Sequence, residues 1–267
     1  MLEVQVFGPV TQFRMSHEIN GTAVYWVAAY LVDGLLIDAG CRFTCDQLVA
    51  ALRDCEIAQV VNTHWHEDHV SADKLLHETR GVPVYAHADS LPHIAARQAL
   101  LPYQELVWGY PDLMAAQSLG DEVVTPHHRF QVIEAPGHSV GHVVFFEPRE
   151  GWLFSGDIFA RVEQKVLRAD ENAPQLIATM NRLAALPGDS LTLFTAVGKV
   201  VDDGRASLRR AAEYLQTLAE IVKPRLDEGR TVDEIVELIF GGEHPFAAIT
   251  DGHYSSANLV RSLAGLA

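Results

Sequence analysis

Thr63-His64-Trp65-His66-Glu67-Asp68-His69 follows the apolar run 57–61 directly, and this junction decides how the rest of the chain is read. The run is short and rich in β-branched residues (Ile57, Val60 and Val61), which predicts a buried strand. His64 to His69 then gathers three imidazoles and the Asp68 carboxylate within six residues. Along an extended strand, residues two apart project to the same side, so His64 and His66 can reach one ion. Asp68 and His69 lie beyond, in the turn, and can face a second ion nearby. Imidazole combined with carboxylate suits zinc, manganese, iron or nickel. The alternative, a solvated polar loop, fits poorly with a run that leaves a core strand without a linker.

Working outward, two further fragments repeat the arrangement. Ala135-Pro136-Gly137-His138-Ser139-Val140-Gly141-His142 puts a histidine in a glycine-flanked turn after a strand. Phe154-Ser155-Gly156-Asp157 ends another apolar strand with a carboxylate. Each fragment is a strand end that delivers a ligand to a rim. At this point the chain resembles the metallo-β-lactamase-fold superfamily, whose H-x-H-x-D-H, G-H and S-G-D elements occur here in the same order. Leu36-Ile37-Asp38-Ala39-Gly40 looks like the same family's early D-x-G element. The resemblance covers roughly residues 20–205, and the H-x-H-x-D-H run is its most specific part.

The resemblance implies an α/β fold, the αββα sandwich. It also implies one ion held by His64, His66 and His138 and a second held by Asp68 and His69, with Asp157 bridging both. His142 and Asp38 would then orient ligands rather than bind metal, because a ligating imidazole needs an outer partner to fix its tautomer. One departure stands out. The family usually supplies a last histidine from a P-G-H-G turn after the strand that here covers residues 191–194, and the register puts Val197 at that place. An isopropyl group cannot bind a metal. His253, in Asp251-Gly252-His253-Tyr254, is the candidate extra ligand.

With 20 Lys+Arg against 35 Asp+Glu, the net charge is −15, which disfavours nucleic acid as a main partner. At 48% hydrophobic and 21% charged, the 267 residues have a globular composition. No run reaches the roughly 20 apolar residues of a membrane span, and the N-terminus lacks the pattern of a signal peptide. Three cysteines, Cys41, Cys45 and Cys55, are an odd number clustered near one helix, which suits a reduced, cytoplasmic protein better than a disulfide framework. Asn20-Gly21-Thr22 matches a glycosylation sequon, read as chance in the absence of a secretory signal.

Strand and helix signals recur in both halves of the chain, which predicts a layered protein with sheets inside and helices outside. The expected organisation is a single domain over 1–267, with a core of about 1–204 and a helical C-terminal extension of about 205–267. Pro174 marks a first helical turn, Leu208, Ala211, Leu215, Leu218 and Val222 mark a long amphipathic helix, and Thr231 with Glu234 marks a capping box. The section 90–120, punctuated by Pro92, Pro102 and Pro111, is the least regular and is expected to be a lid or substrate wall.

A cation in such a rim lowers the pKa of bound water toward about 7 and polarises a carbonyl or phosphoryl oxygen. Asp68 is the expected catalytic carboxylate, orienting that water or carrying its proton. The first expectation is therefore a metal-dependent hydrolase of a small ester, thioester, lactone or phosphodiester, with one or two zinc ions, or iron or manganese in their place. The second is a mononuclear iron oxygenase resembling the persulfide dioxygenases, using His64, His138 and Asp157. The third is a degenerate metal-binding scaffold without turnover.

Overall fold

The computed structural model describes residues 1–266. Two units make up the chain, one of Met1–Glu134, Val140–Asp157 and Gly188–Asp202, the other of Ala135–Ser139, Ile158–Pro187 and the chain from Asp203 onward.

The first unit holds both main sheets. Seven strands form one, in the order Leu2–Phe7, Val10–Met15, Val27–Val32, Leu35–Ile37, Gln59–Val61, Val84–Ala86 and Gln117–Ser118. The last four of these pair in parallel and the others antiparallel. Six strands form the other sheet, in the order Glu122–Val124, Arg129–Glu134, Val143–Glu147, Trp152–Gly156, Thr192–Thr195 and Val200–Val201. Only Trp152–Gly156 and Thr192–Thr195 run parallel in it.

The two-residue side-chain period of a strand explains the core. Leu36 and Val60 are partners in register and share one face with Val84, packing with Leu48 and Leu52 and with Leu76 from the helix Asp73–Arg80. Leu35, Ile37 and Val61 point the other way, into Phe130, Phe145, Phe154 and Phe194 of the second sheet. Both faces of the parallel strands are thus apolar, which is why they read as continuous rather than alternating runs. Burying each of these phenylalanines contributes about 1.5–3 kcal/mol. Parallel pairing also sets the direction of the exits. Ile37 lies opposite Val61, so Asp38 and the segment after Val61 leave the sheet on the same edge.

The second unit is helical. Ala173–Ala184 starts behind Asn172, whose side chain accepts from the Gln175 amide, with Pro174 in the first turn as expected. Gly204–Asp227 buries the expected stripe of Leu208, Ala211, Leu215, Leu218 and Val222. Val232–Phe240 opens on the Thr231–Glu234 capping box. Ser256–Ala264 follows a short ladder in which Tyr254–Ser255 pairs with Leu167–Arg168.

Two further stretches take defined local structure. In the section 90–120 the chain forms the short helices Leu91–Ala95 and Pro102–Val107, each with a proline in its first turn, where the missing N–H costs nothing. Asn20-Gly21 is the turn of a small hairpin between Glu18–Ile19 and Thr22–Ala23, with both residues at positive φ. No helix among the described residues is long and apolar enough to cross a membrane.

Candidate metal centre

In the first unit the exits of three strands converge. Gln59–Val61 delivers the loop that carries His64, His66, Asp68 and His69, Leu35–Ile37 delivers Asp38, and Trp152–Gly156 delivers Asp157. His64, His66 and His69 are buried, and Asp68 nearly so. His64 Nε2 lies 2.9 Å from His66 Nδ1 and 4.0 Å from Asp157 Oδ2. His69 Nε2 lies 3.7 Å from Asp68 Oδ2 and 3.8 Å from Asp157 Oδ2. Ligand atoms of Asp68, His69 and Asp157 fall within 4.8 Å of one another, the spacing that a shared ion requires.

One carboxylate sets two of the imidazoles. His69 donates from Nδ1 to Asp38 Oδ2 at 2.9 Å, which makes Nε2 the nitrogen that a metal would take in place of a proton. Thr63 Oγ1 sits 3.0 Å from Asp38 Oδ2 and 3.0 Å from His64 Nδ1. When the hydroxyl donates to the carboxylate it can only accept from the ring, so His64 also carries its proton on Nδ1 and presents Nε2. The Thr63 amide donates to Asp38 Oδ1 at 2.8 Å as well. Asp38 takes a left-handed backbone, φ 61°, to make these contacts, which aspartate tolerates better than most residues.

The electrostatics fit a cation. Burial, reinforced by Glu67 and Asp157 against the pull of His69, pushes the Asp68 carboxyl up to about 7. Burial disfavours a charged His69, yet Asp38, Asp68 and Asp157 outweigh it and hold the imidazole well above its ordinary pKa. His69 Nε2 is buried with no hydrogen-bond partner and faces two carboxylates at 3.7 and 3.8 Å. Donors about 2.0–2.2 Å from a common metal stand at about such a separation, so the residues present suit a divalent ion.

His142 packs beside the cluster. Its Nε2 accepts from the Asp157 amide at 3.2 Å, and its ring stacks on His64 with centroids 4.8 Å apart. Gly156, at φ +50°, makes this possible, since a Cβ there would come within 2.6 Å of His142 Nε2. The loop of residues 63–69 is held from the section 90–120 as well. Gln104 Nε2 donates to Glu67 Oε1 at 2.8 Å, and Gln98 Nε2 to the Trp65 carbonyl at 2.8 Å. The Trp65 ring stacks on His93 at 4.2 Å. Neither glutamine had been singled out in the sequence, where only the irregularity of the section was visible.

Val197 is half-buried in the tight turn between Thr192–Thr195 and Val200–Val201, and it brings no donor there. In the second unit, His138 Nδ1 lies 2.5 Å from Glu171 Oε1, and both side chains are buried. His253 Nε2 lies 3.7 Å from Asp170 Oδ1. Although burial opposes ionisation of Asp170, His253 and Arg168 together hold its carboxyl well below the usual range. The cysteines are all free, and Cys41 and Cys45 are buried.

Comparison with known proteins agrees with this geometry. Residues 27–195 match the model of the metallo-beta-lactamase superfamily. A hydroxyacylglutathione hydrolase of Cereibacter sphaeroides is 30% identical over 147 residues, 54% of this chain and 51% of that protein. One from Pseudomonas putida is 31% identical over 156 residues, 57% of this chain and 52% of that protein. The matched stretch spans about half the length of these relatives. Among solved structures, a metallo-beta-lactamase from Pontibacter korlensis shares the fold with a TM-score of 0.63 at 21% identity, covering 81% of this chain and 99% of its own. A beta-lactamase domain protein from Burkholderia ambifaria gives 0.66 at 18% identity, covering 100% and 86%. The mixed sheets with helices are those of the family's α/β sandwich, followed by C-terminal helices. On the match over 27–195, the chain belongs to the metallo-beta-lactamase superfamily.

Proposed function

We propose that the protein is a metal-dependent hydrolase of a small acyl substrate, with a thioester as the favoured class and an ester, lactone or phosphodiester as the wider one. The observation that carries this reading is the pair of carboxylates, buried Asp68 and half-buried Asp157, set against Nε2 of the buried His69. Similarity to the hydroxyacylglutathione hydrolases supports the thioester class. The oxygenase and scaffold readings gain no observation of their own.

In this reading His64, His66 and His138 would hold one ion, Asp68 and His69 would hold a second, and Asp157 would serve both. The assignment of His138 rests on its G-H motif. Zinc is the proposed metal, and ions bound there would supply an activated water and polarise the scissile carbonyl. Asp68 orients the attacking water through a carboxylate oxygen and takes its proton. Asp38 and Thr63 keep the rings of His64 and His69 in the tautomer that presents Nε2. His142 steadies the Asp157 backbone. The free cysteines support a reducing, cytoplasmic setting.

The test is metal content. His66→Ala should remove most zinc, measured by elemental analysis after purification without added metal, while circular dichroism stays that of the wild type. Hydrolysis of acyl-thioesters should fall with the metal. Unchanged metal content in a folded His66→Ala variant would overturn the assignment.

A further inference from the structure

The second unit shows what holds His138, and nothing in the sequence motifs accounts for it. Residues 135–139 form a turn seated on the start of the helix Ala173–Ala184. The Asn172 amide donates to the Gly137 carbonyl at 2.8 Å, and Thr179 Oγ1 to the Pro136 carbonyl at 2.7 Å. Gly137, at φ +130°, allows this approach, because a Cβ there would come within 2.6 Å of the Leu176 amide nitrogen. The turn therefore fixes the His138 backbone and leaves its ring to be set by what it meets.

The ring meets Glu171. Oε1 lies 2.5 Å from His138 Nδ1, and Oε2 accepts from the Arg168 amide at 2.9 Å. An ionised carboxylate only accepts, so the nitrogen facing it carries the proton and Nε2 keeps the lone pair. A carboxylate on the far nitrogen also makes a ligating imidazole a stronger donor. Glu171 is in turn held by the C-terminal segment. Leu167 and Arg168 pair with Ser255 and Tyr254, and the Ala169 amide donates to the His253 carbonyl at 2.9 Å. Arg168 Nε and Nη2 reach the two oxygens of Asp170 at 3.0 Å each. Ser262 Oγ accepts from the Ala173 amide at 2.8 Å and lies 3.4 Å from the Glu171 carbonyl.

We propose that Glu171 is the positioning residue of His138, fixing the ring with Nε2 presented for metal, and that the segment 253–262 exists in this chain to hold Glu171 in place. The inference rests on the metal-hydrolase reading above and adds to it a residue outside every ligand motif.

The experiment uses the full chain as wild type, Glu171→Ala and Glu171→Gln. Zinc affinity is measured by chelator competition, the ligand field by cobalt absorption, and the His138 tautomer in metal-free protein by nitrogen-15 imidazole NMR. The wild type should show the proton on Nδ1. Glu171→Ala should lose that tautomer, bind one ion about 10–100-fold more weakly and shift the cobalt spectrum. Glu171→Gln is isosteric and keeps an acceptor oxygen, so it should keep the tautomer and recover part of the affinity; it carries the test should the alanine variant fail to fold. A wild type with the proton on Nε2, or a folded variant pair with wild-type affinity and spectrum, overturns the proposal. A wild type that takes up no zinc overturns the hydrolase reading instead, a result distinct from zinc bound equally by all three proteins.

Discussion

Asp38 and Glu171 solve the same problem in two ways. Asp38, at a strand end, serves two imidazoles, one by direct contact and one through Thr63 Oγ1, and also takes the Thr63 amide. Glu171, in a loop, serves one imidazole and one amide. A shared brace concentrates the consequences of a mutation, whereas a dedicated brace confines them. The difference also follows from the backbone. A strand end in a parallel pair is fixed by its neighbours, so a single residue can be aimed at several partners. A loop residue must be tied down by other segments before it can be aimed at one.

The comparison breaks first at Asp38→Ala. Two rings lose their orientation and the buried Thr63 amide loses its acceptor, so zinc binding should weaken at both ions, by about 10–100-fold each. The metal-free protein should also lose about 1–3 kcal/mol in a denaturant titration. An effect no larger than that of Glu171→Ala would mean that sharing carries no added weight.

Thr63→Val separates the two services of Asp38, because valine keeps the shape and the amide but removes the relay to His64. Zinc at the ion held by His64 should weaken about 10-fold, while the contact between Asp38 and His69 stays intact. Equal weakening at both ions would show that Asp38 acts through the fold rather than through each ring.

Val197→His addresses ligand supply rather than orientation. With Asp68, His69 and Asp157 as its protein donors, the second ion should bind weakly in the native chain, and stoichiometry should rise from near one toward two in the variant. Two tightly bound ions in the native protein would show that the valine leaves no gap; His253→Ala then asks whether His253 completes that site.

Asp73 is a buried carboxylate that braces no ring, and it gives the smallest effect. Burial lifts its pKa well above the ordinary 3.8, with Asp38 adding to the lift and Asn62 opposing it. The folded chain therefore keeps a proton that the unfolded chain releases, so this contribution is full below the ordinary value and is lost as pH rises toward the folded one. Asp73→Asn should flatten the stability–pH curve over that window and leave metal content unchanged.

What could be read from the sequence follows the same contrast. The loop from His64 to His69 was legible because its ligands are contiguous and leave a core strand, and Asp38 was legible because the D-x-G element marks it. Glu171 was not, since it meets His138 from 33 positions away, and neither strand nor helix period relates the two. Central strands such as Leu35–Ile37, Gln59–Val61, Val143–Glu147 and Trp152–Gly156 were legible from their apolar runs, whereas the edge strand Gln117–Ser118 has no apolar residue to mark it. The pairing of Tyr254–Ser255 with Leu167–Arg168 was hidden because two-residue ladders have no measurable period. In the section 90–120, Pro92 and Pro102 open short helices too brief for an apolar period to mark them.

The two glutamine contacts from that section change how access to the centre is pictured. Gln104 and Gln98 grip Glu67 and Trp65, the residues interleaved with the candidate ligands. A segment fastened in this way does not move on its own clock. To lift it, the chain must give up bonds to the loop that carries the histidines, so opening and loosening of that loop become one event with one rate.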